Sequence, residues 1–183
     1  MLESVFPEER VSGPVGQAVH GRLLTHSARL EQKLYTVGPD AWCFVGNGLS
    51  NQTFVRGPEG VIVIDTGECV EEMEAALTAF RDVCADPVVA CVYSHFHYIG
   101  GTKALLADAP ELPIWGHGGI PGNLRRFSGE VGPRGSRGLA HQFGVLLPES
   151  GPEGLVNVGL GRFFRNPAHA PFTPGYVLSL IHI

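Results

Sequence analysis

Two apolar runs, Gly60-Val-Ile-Val-Ile-Asp65 and Val88-Val-Ala-Cys-Val-Tyr93, constrain the fold of this chain more than any other feature. Each is too short for a core helix and too uniformly apolar for a strand with one wet face, so both read as strands buried on both sides. Between them Val70, Met73, Leu77 and Phe80 recur at helical spacing, and Glu71, Glu72 and Glu74 load the first turn, where the helix dipole favours negative charge. Strand, amphipathic helix over residues 70–83, strand: the class is α/β, with chemistry expected at strand ends.

Upstream, Lys33–Val37, Ala41–Gly46 and Ser50–Arg56 read as three further strands, punctuated by the turns Gly38-Pro39-Asp40 and Gly57-Pro58-Glu59. Residues 1–32 read as a poorly patterned leader with one short helical segment, Gly16 to Leu30. Downstream, the patterns predict a short helix over Thr102–Leu106, a strand at Pro113–Trp115 and a last helix from Ser136 to Leu146. Gly and Pro crowd the chain after Gly116, which predicts a loop-rich second half. The domain body is therefore expected over residues 33–177. Residues 178–183, Leu-Ser-Leu-Ile-His-Ile, coincide with the translation of a transposon end used to prepare sequencing libraries. They are expected to be a non-native tail with few contacts to the body; the alternative is a native amphipathic tail.

With 44% hydrophobic and 17% charged residues in 183, the chain can build a core and is not of disordered composition. Its formal charge of -5, with only short arginine clusters (Arg125-Arg126, Arg134, Arg137), argues against a nucleic-acid partner. No apolar run approaches the ~20 residues of a membrane span. The acidic start, Met1-Leu-Glu-Ser-Val-Phe-Pro-Glu-Glu-Arg, is unlike a signal peptide, so a cytoplasmic location is expected. Cys43, Cys69, Cys84 and Cys91 lack CxxC spacing and read as isolated thiols packed as small hydrophobes.

Chemistry can reside at the ends of the two buried strands. Asp65-Thr66-Gly67 closes the first, and its carboxylate is either a turn residue or a functional group. Ser94-His95-Phe96-His97 follows the second. On an extended segment, imidazoles one position apart point the same way and can reach a single metal; the alternative is a pair of surface histidines.

Taken in order, Gly48-Leu-Ser-Asn51, Thr53, GVIVIDTG, a helix, VVACVYSH and IGGTKALL resemble the metallo-β-lactamase superfamily. His141-Gln-Phe-Gly-Val-Leu-Leu-Pro148 and Val156-Asn-Val-Gly-Leu-Gly161 are similar to segments of its alkyl sulfatase branch. The resemblance implies the N-terminal portion of a four-layered αββα sandwich with one or two zinc ions, hydrolysing sulfate esters of alkyl alcohols through a metal-activated water. It implies metal ligation by His95 and His97, support of those ligands by Asp65, and substrate contacts from Tyr98 and His141. The partner is then a small-molecule ester, and a homodimer is the expectation for a full-length form. The family's HxHxDHxGG is shortened here to HFHYIGG, without the Asp and the third His that bind the second metal. The remaining family ligands would lie beyond this chain, so the chain by itself is expected to be inactive. The competing reading is a non-catalytic homologue that serves as a binding or scaffold domain.

Overall fold

The computed structural model describes residues 9–144, 146–158 and 170–182. An antiparallel hairpin of β1 (Arg10–Ser12) and β2 (Ala18–His20) runs straight into helix α1 (Gly21–Ala28). The helix lies inside the helical segment read at Gly16 to Leu30, and the hairpin before it was not anticipated. Gly13 to Gln17 closes the hairpin, the Gly13 amide donating to the Gln17 carbonyl at 2.7 Å.

One mixed sheet of seven strands follows, with spatial order equal to chain order. β3 (Lys33–Gly38), β4 (Ala41–Val45), β5 (Gln52–Gly57) and β6 (Gly60–Ile64) form an antiparallel meander, because the turns between them are too short for anything else. From β6 on, the strands run parallel: β7 (Val88–Tyr93), β8 (Ile114–Gly116) and β9 (Ile181–His182). Helix α2 (Val70–Arg81) makes the crossover from β6 to β7, and α3 (Thr102–Asp108) that from β7 to β8. Among the described residues there is one large sheet, half of the four-layered αββα arrangement.

The core lies between this sheet and α2. Cross-strand neighbours Trp42, Phe54, Val63, Cys91 and Ile114 line one face and meet Met73, Ala76 and Phe80 of the helix. Phe54 and Phe80 stack with ring centroids 4.2 Å apart, and both are fully buried. The opposite face carries Cys43, Thr53, Ile64, Val92, Trp115 and Ile181 in register, and none of them is buried. Ile62 on the same face is 36% exposed and Trp115 37%. The expectation of strands buried on both sides is met on the α2 side only, since nothing among the described residues closes the other side.

Glu72, in the acidic first turn of α2, is fully buried, and its Oε2 accepts the Glu68 amide at 2.9 Å. In the Gly/Pro-dense second half, α4 (Ile120–Arg126), a π-helical turn (Phe127–Val131) and α5 (Gly132–Phe143) follow one another without a break. The loop-rich reading fails over this stretch and holds for residues 146–158 and 170–180, which carry no helix or strand. Pro121 and Pro133 sit at helix N-terminal positions, where a missing N–H costs nothing. The tail also departs from expectation, because Ile181–His182 pair with β8 as an edge strand and Leu180 packs on the core. An open strand edge flanked by apolar, β-branched residues is a template for such pairing. The Gly159–Gly161 part of the second branch-specific segment, and His169, lie outside the described residues.

Candidate metal and substrate site

The carboxyl ends of the parallel strands β6 and β7 lie side by side, the Asp65 amide donating to the Val92 carbonyl at 2.9 Å. Loops leaving this edge are where open α/β sheets place their chemistry. Asp65 has φ 61°, the left-handed region that Asp tolerates better than most residues. That conformation turns its carboxylate towards the start of the next loop. Its Oδ1 accepts the Ser94 amide at 2.8 Å and its Oδ2 accepts the Ser94 hydroxyl. Asp65 therefore holds the backbone of the histidine loop, where the sequence reading has it support the imidazoles. Burial pushes its carboxyl up from the usual range, against the bonds from Ser94, which favour the ionised form.

The segment Ser94–Gly101 is a tight turn and not the extended segment that the HxH spacing suggested. Its shortness forces the turn. The Tyr98 amide closes onto the His95 carbonyl at 3.2 Å, and the loop is then laced to the one after β6. Thr66 donates to the Tyr98 carbonyl and Gly100 to the Gly67 carbonyl, both at 2.8 Å. Such close approach needs the two glycines: a Cβ on Gly100 would lie 1.9 Å from the Glu68 carbonyl oxygen, and one on Gly101 2.1 Å from that of Thr66.

The turn still brings the two imidazoles together, with ring centroids 4.8 Å apart. His95 is exposed, and its Nδ1 accepts the His97 amide at 3.3 Å, which leaves Nε2 as its outward nitrogen. His97 lies deeper, between Phe96 and the edge of Phe127 at 4.4 Å. Its Nε2 is buried without a hydrogen-bond partner. Burial, and then the neighbouring His95, lower its pKa and favour the neutral, ligating form. The Tyr98 ring lies tilted beside His95 with centroids 4.9 Å apart, and its phenol is pushed up by burial and by Glu68 and Asp65, so it stays a hydrogen-bond donor at neutral pH.

These donors suit zinc as two nitrogen ligands, and the orphaned His97 Nε2 is the atom that most needs a partner. Among the described residues no third His, Cys, Asp or Glu joins them. His141 is exposed on α5, and no ring contact or hydrogen bond ties it to the turn among the described residues. His117 uses its Nδ1 to accept the Gly119 amide at 3.0 Å. The buried thiols of Cys69 and Cys91 are pushed up to about 12 by desolvation and are inert at neutral pH. Ser94 and Phe127 belong to this site and were not legible as such. A lone Ser before HxH carries no pattern, and Phe127 arrives from a distant helix.

A profile of the metallo-β-lactamase superfamily matches residues 45–173. The chain belongs to the metallo-β-lactamase superfamily. It is 33% identical over 126 residues to a linear primary-alkylsulfatase of Pseudomonas sp., a match covering 66% of this chain and 24% of that protein. It is 29% identical over 146 residues to an (R)-specific secondary-alkylsulfatase of Pseudomonas sp., covering 75% and 22%. The stereoselective inverting sec-alkylsulfatase of Pseudomonas sp. has a similar solved structure, with TM-score 0.73, 24% identity, and coverage of 90% of this chain and 26% of that one. The fold is shared, and the branch read from HQFGVLLP agrees with these relatives. The chain spans about a quarter of the length of the curated relatives it matches. No helix among the described residues is long and apolar enough to cross a membrane.

Proposed function

We propose that this chain is part of a sulfuric-ester hydrolase of the alkyl sulfatase type, whose His95 and His97 are two of the protein ligands of a zinc centre. The observation that carries the reading is the pair of imidazoles at the β6–β7 edge, one with a buried, unpartnered Nε2. The alkylsulfatase relatives support the substrate class, a sulfate ester of an alkyl alcohol. Zinc, when bound, supplies a Lewis acid that activates water at neutral pH. Asp65 and Ser94 hold the turn in place, Phe96 and Phe127 keep bulk water from one side of His97, and the neutral Tyr98 phenol can donate to a sulfate oxygen. His141 enters as a substrate contact through the HQFGVLLP resemblance alone. Two donors fall short of the three or four that zinc sites use, so the chain alone is expected to be inactive and the full-length protein to supply the rest.

Elemental analysis of the full-length protein tests this. Wild type should carry zinc and hydrolyse an alkyl sulfate, and the double variant His95→Ala, His97→Ala should lose both. One observation favours a second reading, a non-catalytic homologue: no third acidic, His or Cys side chain joins the pair among the described residues. Full-length wild type without zinc and without esterase activity would put that reading in place of the first.

A further inference from the structure

Beneath the histidine turn lies a buried cluster of three hydroxyls with no part in the mechanism above: Thr66 after β6, Tyr93 ending β7 and Thr102 opening α3. Thr66 and Thr102 are fully buried and Tyr93 is nearly so. Thr102 is the centre of the cluster. Its Oγ1 is 2.9 Å from the Ile99 carbonyl, 2.6 Å from the Tyr93 hydroxyl and 3.1 Å from that of Thr66. A carbonyl only accepts, so the bond to Ile99 uses the single Thr102 proton, and in that arrangement Tyr93 and Thr66 donate to Thr102. Each has a longer alternative, Tyr93 to the Val177 carbonyl at 3.1 Å and Thr66 to the Tyr98 carbonyl at 3.4 Å. One hydroxyl thereby uses both lone pairs and its proton to join the ends of β6 and β7 to the turn.

We propose that Thr102 is a positioning residue for His95 and His97: its hydroxyl ties the Ile99 carbonyl, and through it the shortened turn, to the ends of the two strands. It touches neither imidazole and acts through the backbone that carries them. A turn of this length has no regular structure of its own, so its geometry depends on such tethers. A buried hydroxyl with all its bonding capacity engaged cannot be exchanged for a methyl without orphaning Ile99 and releasing both donors.

The test compares Thr102→Val, which keeps the shape and removes the hydroxyl, with Thr102→Ser, which keeps the hydroxyl, in the full-length protein. Amide hydrogen exchange at Thr66 and Gly100, which bond across the turn, should quicken about tenfold in the Val variant and stay at the wild-type rate in the Ser variant. Zinc affinity should fall about tenfold or more in the Val variant and recover in the Ser variant, the size found for residues that orient ligands. Only the affinity arm rests on the zinc reading. A zinc-free wild type with faster exchange in Thr102→Val defeats that reading and leaves the positioning role standing. Wild-type exchange and affinity in Thr102→Val overturn the proposal. Should that variant not fold, Tyr93→Phe carries the test: it removes one donor, and exchange at Thr66 and Gly100 no faster than wild type overturns the proposal equally.

Discussion

Asp65 shows how one residue can look ordinary in sequence and hold a site together in three dimensions. Its positive φ and its two bonds to Ser94 are the means by which the end of β6 governs where the histidine loop begins. Replacing it separates two contributions. Asp65→Ala loses the charge-assisted bonds and also places an ordinary L residue in the left-handed region, for a cost of about 3 kcal/mol. Asp65→Asn keeps a side chain that tolerates this conformation and one acceptor, and should cost about 1 kcal/mol. Urea midpoints of the two variants, read at constant slope, check the order; equal losses would mean that the backbone conformation contributes nothing. Ser94, which completes the contact, was invisible in the sequence because a short hydroxyl residue has no distinguishing pattern until its acceptor is known.

At the scale of elements, the segment after residue 170 behaves as a strap across the N-terminal ends of α2 and α3. The Thr173 carbonyl accepts the Val70 amide at 3.0 Å, and Gly175 exchanges bonds with Gly100 and Lys103 at 2.7 and 2.9 Å. Glu71, in the first turn of α2, clasps the strap by accepting both the amide and the hydroxyl of Thr173, at 2.9 and 2.6 Å. Burial is the largest single influence on the Glu71 carboxyl and pushes it up, but the two Thr173 bonds, with smaller help from its own backbone and Cys69, together outweigh it and bring it down to about 2. A carboxyl whose folded pKa is depressed adds stability above its unfolded value, about 4.3, and loses it as pH falls towards about 2. Wild type should therefore lose stability over that window by more than Glu71→Gln, whose profile should be flatter. Urea midpoints measured from pH 5 to pH 2 check this, and parallel profiles would dismiss the clasp. The helical run from Ile120 to Phe143 belongs to the same scale. Counting its glycines and prolines suggested loops, because composition does not say which prolines fall at a helix start.

For the whole molecule, the two faces of one sheet have opposite fates. Val63 points into α2 and is fully buried, whereas Ile62, one residue earlier, lies on the uncovered face at 36% exposure. In this chain Val63→Lys should abolish the cooperative fold, since it leaves a charge unpaired in the core. Ile62→Lys should move the urea midpoint by the equivalent of less than ~0.5 kcal/mol and lower light scattering, because it breaks an exposed apolar patch. Similar losses for both would show that the second face is covered after all. The α/β class, the strands from Lys33 to Tyr93, the crossover helix and the HxH pair were all legible in the sequence, for the physical reason that period and burial are local properties of the chain. What the sequence could not determine depends on groups far apart along it. Only the tertiary structure decided that Asp65 serves Ser94, that Phe127 packs on His97, that Glu72 turns inward, and that Thr102 gathers three elements beneath the turn. Each of those pairings rests on a distance between atoms that no spacing along the chain encodes.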